Sequence, residues 1–271
     1  MSAANTLKTL TEVSTWQWGL ITTAQAESLG VSRLKLSRLF GAGHLDRIRP
    51  GVYLDIGVQP SERTTLQAEW LMFKPEVDAQ TRIKNLEDEI VIGSATAAWL
   101  HNAGDFFPDP YTFFSARRVN KYRENTRVRV REIPQSDITI VDGLPVTTQA
   151  RTALDLLAEG WDLEGVLETI RELTAQTKLP NEFLDQAKLF AGKYHIPTFE
   201  FSNLLKQVVA HVEVDMKAIQ EFSVQANEIS QQLAVVAKDL PKTQVPQDFL
   251  DAVENLKQLS SALSKVTSPG T

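Results

Sequence analysis

The 271-residue chain has no cysteine. That excludes a disulfide framework, a thiol nucleophile and thiolate metal sites, and it fits the reducing cytoplasm where the chain is expected to reside. No apolar run approaches the ~20 residues that a bilayer-spanning helix needs, so no membrane contact is expected. The opening stretch MSAANTLKTLTEVSTWQWG has no apolar core segment, so no secretory signal is expected. Histidine is scarce: His44, His101, His195 and His211 are scattered, none at metal-ligand spacing with a partner, although His101 is expected at a helix end. Gly41-Ala42-Gly43 lacks the lysine and context of a phosphate-cradling loop, and no Gly-x-Ser-x-Gly elbow occurs. Asp215-x-Lys217 could suit a metal-dependent nuclease, but it falls inside a helical seam without an upstream strand bearing a second acid. No enzyme activity, metal or cofactor is therefore expected.

Positive charge is also in deficit. Lys and Arg number 28 against 34 Asp and Glu, for a net charge of −6 and a pI near 5.4. Such a chain should not bind nucleic acid over its whole surface. One basic module remains feasible, because screening confines charge effects to about 10 Å. Arg33, Lys35, Arg38, Arg47 and Arg49 all fall within seventeen residues. That concentration needs a reason.

The length suits about two domains or more, and the pattern divides into three segments, 1–60, 61–175 and 176–271, of an α+β multidomain protein. In residues 1–60, Leu7, Leu10, Val13 and Trp16 mark the apolar face of a first helix. Thr22 or Thr23 can cap a short second helix ending at Leu29, and Gly30 allows the sharp turn that follows. Ser32 can cap a third helix, Arg33 to Phe40, with Leu36, Leu39 and Phe40 inward. Leu45 to Arg49 and Val52 to Leu54 alternate around Pro50-Gly51 as a β-hairpin. This is the order of a winged helix-turn-helix.

With those three side chains inward, Ser32, Arg33, Lys35, Ser37 and Arg38 face out. A helix in the major groove can place such groups against phosphates while its first residues touch base edges. Arg47 and Arg49, two residues apart on the wing strand, are expected on one side of it, with Tyr53 adding a phosphate contact.

Residues 61–175 read as a mixed α/β domain: helices over Ser61–Phe73, Ser94–Asn102, from a Thr148 cap, and from Asp162 to about Leu173, with strands at Ile90–Gly93, Tyr111–Phe114 and Thr126–Ile133. Asp142-Gly143 reads as a turn. The stretch RRVNKYRENTRVRVRE, 117–132, holds seven cations against two glutamates. On a strand Arg127, Arg129 and Arg131 would face one way and Val128 and Val130 the other. With Arg117 and Arg118 they form either a solvated face or a second phosphate-contacting surface.

In residues 176–271, apolar residues recur at Leu205, Val208, Val212, Met216, Ile219, Phe222, Ala226, Ile229, Leu233, Val236 and Leu240, a near-heptad seam. At 1.5 Å per residue this helix would run roughly 55 Å. Pro241 and Pro246 bracket a break before a second helix marked by Phe249, Val253, Leu256 and Leu263, so a long helical hairpin is expected. Its seam could pack on its own domain, take a partner, or pair with another copy as a homodimer.

The segments TTAQAESLGVSRLKLSRLFGAGHLDRIRPGVYLDIG, VIGSATAAWLHNAG and GLPVTTQARTALDLL resemble AbiEi-type antitoxins of bacterial abortive-infection, type IV toxin–antitoxin pairs that act in phage defence. The resemblance spans roughly residues 18–175. It implies an N-terminal domain that binds inverted repeats upstream of its own operon and represses it. It implies a following domain that counters a nucleotidyltransferase toxin, with no direct complex required. Arg33, Lys35, Arg38, Arg47 and Arg49 would then contact operator DNA. The C-terminal hairpin is outside the resemblance. Two other readings stay open: a transcriptional regulator whose middle domain senses a ligand or protein, and a scaffold whose winged helix binds protein.

Overall fold

The computed structural model describes residues 3–119, 125–177, 179–239, 252–259 and 261–262. By contact the chain forms two compact units, Met1–Asn102 with Phe106–Asp155, and Ala103–Asp105 with Leu156–Thr271. These units do not coincide with the boundaries at 60 and 175. The cause is a shared core: Leu20, Val52 and Leu54 are buried in one cluster with Trp70, Ile92 and Phe113. Burial of contiguous apolar surface, not sequence spacing, sets the unit.

The first unit opens with α1 (Ala3–Ser14), β1 (Leu20–Thr22), α2 (Thr23–Ser28), α3 (Arg33–Gly41), β2 (Leu45–Arg49) and β3 (Val52–Asp55). The helices and hairpin stand in the expected order, with β1 as an unanticipated third strand in the sheet β1-β3-β2. Thr22 caps α2 in a capping box with Gln25, and Gly30 turns the chain at φ +77°. Two side chains expected inside lie outside. Helix α1 stops at Ser14, leaving Trp16 67% exposed, and Phe40 is 44% exposed, set edge-on to Tyr53 at 6.3 Å.

Beyond the wing come α4 (Thr64–Leu71), α5 (Ala79–Lys84), β4 (Val91–Ile92), α6 (Ser94–Leu100), β5 (Tyr111–Ser115), β6 (Thr126–Val130), β7 (Ile138–Val141), β8 (Leu144–Thr147) and the start of α7 (Gln149–Glu159). Helix α5 had no counterpart in the sequence reading. The strands form a mixed sheet, β6-β5-β4-β8-β7, with β4–β8 and β5–β6 parallel. Asp142 and Gly143, both at positive φ, turn β7 into β8. Beneath the sheet, Arg82 and Glu89 form a buried pair at 2.6 Å. The Arg82 guanidinium lies 3.4 Å from the Trp70 ring centroid, and Lys74 Nζ reaches Glu89 at 2.9 Å. Burial alone would raise the Glu89 carboxyl; the hydrogen bonds and charge of Arg82, with Lys74, outweigh it and hold it below the usual carboxylate range.

In the second unit α8 (Leu163–Gln176), capped by Asp162, packs on α10 (Thr198–Asp239), with α9 (Phe183–Ala187) and a 3₁₀ turn between. Ile170, Leu173, Phe201 and Leu205 are fully buried, and Tyr194 stacks on Phe201 at 5.6 Å. Helix α10 runs 42 residues and begins at Thr198, ahead of the seam that the periodicity marks from Leu205. The buried stripe follows the expected seam only in part: Leu205 and Ala226 are buried, but Phe222 and Ile229 are exposed and Ser223 and Ser230 are buried in addition. Residues 252–259 are helical, with Val253 buried. Pro241, Pro246, Phe249 and Leu263 lie outside the described residues, as do the side chains of Val212, Met216, Ile219 and Val236.

Candidate nucleic-acid interface

Helix α3 begins where the Ser32 hydroxyl accepts the Lys35 N–H at 3.4 Å and ends where His44 N–H donates to the Leu39 carbonyl at 3.0 Å. Leu36 and Leu39 anchor its inner face. At about 100° per residue, the opposite face presents Leu34, Ser37 and Arg38, all exposed. Lys35 is half-buried on one flank. Arg33 is on the other, toward the wing, and its Nε donates to Glu27 at 2.9 Å. Both partners are well exposed, so the pair contributes about 0–1 kcal/mol and leaves Arg33 ready to exchange Glu27 for a phosphate.

Arg33, Arg47 and Tyr53 line one groove of about 400 Å³ together with Thr23, Gly51 and Met72. Gly51, at φ +88°, makes the wing turn, and Thr23 N–H donates to its carbonyl at 2.9 Å. The groove thus joins the start of α2, the start of α3 and the wing. Arg49 goes elsewhere. A β-bulge puts Arg47 opposite Tyr53 but Arg49 opposite Val52, so the two arginines face opposite sides of the sheet. Arg49 forms an ion pair with Glu69 of α4 and is mostly covered. The expectation that both share one side of the wing is corrected by this bulge, which a two-residue alternation cannot reveal.

A buried polar cluster ties the start of α2 to β1 and to the segment before α5. Gln17 Nε2 donates to the Leu20 carbonyl and to Gln25 Oε1, both at 2.7 Å; Gln25 Nε2 donates to the Val77 carbonyl at 3.1 Å; Ala79 N–H donates to Gln17 Oε1 at 3.3 Å. The Thr22 hydroxyl donates to the Pro75 carbonyl while accepting from Gln25 N–H. Such networks fix geometry because a buried amide left unpaired costs about 1–3 kcal/mol.

The second basic stretch does not form one row. Strand β6 ends at Val130, which is 62% exposed. Arg131 leaves the strand, ion-pairs with Asp155 at 2.6 Å and lies 5.0 Å from the Phe114 ring. Arg117 pairs with Asp88 at 2.8 Å, and Arg118 and Arg127 are exposed, while Arg129 is half-buried and engaged. Lys121 and Arg123 lie outside the described residues. His101 caps the end of α6, its Nε2–H donating to the Thr147 carbonyl at 2.8 Å; burial lowers its pKa below the ordinary histidine value. Asp215 and Lys217 lie within α10. Among the described residues, no group of three metal-ligating side chains and no helix long and apolar enough to cross a membrane is present.

Sequence reasoning passed over Leu34, which is 60% exposed at the middle of the outward face of α3. Its signal was available: it lies one turn before Arg38 and out of phase with Leu36 and Leu39.

Residues 8–54, from α1 to the end of the wing, match the family model described as "Transcriptional regulator, AbiEi antitoxin". This N-terminal segment is similar to the AbiEi antitoxin family. The match ends with β3, so it covers the helices and wing and not the second basic stretch or α10. No curated protein matches the chain. The crystal structure of the RV2827C protein from Mycobacterium tuberculosis is similar at 13% identity and a TM-score of 0.40, over 77% of this chain and 80% of that one.

Proposed function

We propose that the protein is an antitoxin of a type IV pair that binds operator DNA through α3 and the wing, represses its own operon, and counters a nucleotidyltransferase toxin encoded beside it. The observation that carries the reading is the groove uniting Arg33, Arg47 and Tyr53 beside exposed Ser37 and Arg38, on a chain whose net charge is −6. With α3 in the major groove, Ser37 and Arg38 face base edges and backbone, while Arg33 and Arg47 bracket a phosphate path between helix and wing. Lys35 flanks that path. Exposed Arg118 and Arg127 would extend the footprint; Arg131 is committed to Asp155. Exposed Phe222 and Ile229 on α10 support pairing with a second copy, which an inverted-repeat operator would require.

A reporter driven by the DNA upstream of the gene tests the repressor half. The wild-type chain should silence it, and Arg33→Ala with Arg38→Ala should release it. Co-expression with the neighbouring toxin should restore growth. An unrepressed reporter would overturn the regulator reading, and unrelieved toxicity the antitoxin reading.

A second reading has one observation in its favour. A polar cavity of about 420 Å³, lined by Lys84, Asp88, Arg131 and Glu132, suits a small polar ligand sensed by a plain regulator. Operator affinity that changes with such a ligand, in the absence of toxin rescue, would select it.

A further inference from the structure

Leu34 is the apolar centre of an otherwise polar reading face. A single exposed leucine is ordinary on a protein surface. This one is 60% exposed in the first turn of α3, between Arg33 and Lys35 in sequence and one turn before Ser37 and Arg38. It is out of phase with the buried Leu36 and Leu39 and lines no part of the core cluster they form. Cations on both sides would draw a polyanion over it and leave it no route out of the interface.

We infer that Leu34 reads thymine. The inference rests on the DNA-binding reading above and deepens it. Among the base edges of the major groove, only thymine presents a methyl group at C5; the others present donors and acceptors. An isobutyl side chain can satisfy no donor or acceptor. Set over guanine, cytosine or adenine, it would strip water from polar edges and return nothing. Set over thymine, it buries methyl against methyl. The same helix fixes the context. One turn is about 5.4 Å along the helix axis, against about 3.4 Å per base pair, so Arg38 contacts the duplex roughly one to two base pairs from the thymine. Leu34 is therefore a specificity-determining residue, while Arg33 and Arg38 supply mainly affinity.

The test uses the full chain and the duplex upstream of its gene, prepared once with thymidine and once with deoxyuridine, which pairs identically but lacks the C5 methyl. Wild type should bind the uracil duplex about fourfold more weakly per contacted thymine, from about 0.8 kcal/mol per buried carbon at 1.4 kcal/mol per tenfold. Leu34→Ala should bind both duplexes equally, at the affinity wild type shows for the uracil form, with unchanged thermal unfolding. Leu34→Met should keep the discrimination. An identical thymine-to-uracil ratio in wild type and Leu34→Ala would overturn the inference, as would a wild type indifferent to the substitution. Wild type that binds neither duplex better than a scrambled one would overturn the DNA reading itself, and Leu34's role with it.

Discussion

Arg47 and Arg49 stand two residues apart on the wing strand and face opposite sides of its sheet, one beside Tyr53 and the other ion-paired to Glu69. Their substitutions should therefore fail in different assays. Arg49→Ala removes an ion-pair partner of the buried Glu69 and should cost about 2 kcal/mol in urea denaturation. Arg47→Ala should leave the unfolding midpoint unchanged, weaken DNA binding across sequences, and reduce the salt slope by about one. Loss of stability from Arg47→Ala, or none from Arg49→Ala, would reverse the assignment.

The buried Arg82–Glu89 pair makes a pH prediction. Glu89 has its folded pKa depressed below the ordinary value of 4.5. Its contribution is therefore complete above pH about 4.5 and is lost as pH falls through the lower folded value. Arg82→Ala should cost about 3–5 kcal/mol at neutral pH, and replacing both residues by leucine should cost much less. Chemical denaturation from pH 3 to 7, comparing wild type with the double variant, checks both: the acid-side slope should be shallower without Glu89.

His101 acts on the same acid side, at higher pH. Burial lowers its folded pKa below the ordinary 6.5, so the unfolded chain binds the proton first. Stability from neutral His101 should be full above pH about 6.5 and decline as pH falls below it. His101→Gln, which can still donate to the Thr147 carbonyl, should flatten that decline between pH 5 and 7 in thermal melts.

Gly93 leaves no room for a methyl group. A Cβ there would sit 1.9 Å from Phe114 Cε2, between β4 and α6. Gly93→Ala should destabilise by about 3 kcal/mol or force Phe114 from its rotamer, and Gly93→Ala with Phe114→Leu should recover part of the loss. Unfolding midpoints of the two variants decide this.

Local signals were the legible ones. Caps at Thr22, Ser32 and Asp162, the positive-φ turns at Gly30 and Asp142-Gly143, and the long period of α10 all rest on chemistry within a few residues. Tertiary competition was not legible. Strand β1 has three residues and exists because β3 offers an edge. The Arg49–Glu69 and Arg131–Asp155 pairs join residues at least twenty positions apart, and the wing bulge is set by pairing across the hairpin rather than by alternation along one strand. On α10 the buried face kept Leu205 and Ala226 of the expected seam and took in Ser223 and Ser230, while Phe222 and Ile229 stayed outside. Leu34 escaped notice although its signal is local: charge marked the outward face, and an apolar residue within it was read past.

The central claim is that α3 and the wing read DNA. Its most direct test is binding of the purified chain to the duplex upstream of its own gene against a scrambled duplex, at two salt concentrations, with Arg33, Lys35 and Arg38 changed to alanine as control. The account predicts tighter binding to the upstream duplex, weakened by salt and lost in the triple variant. Equal binding to both duplexes, or none, would contradict it.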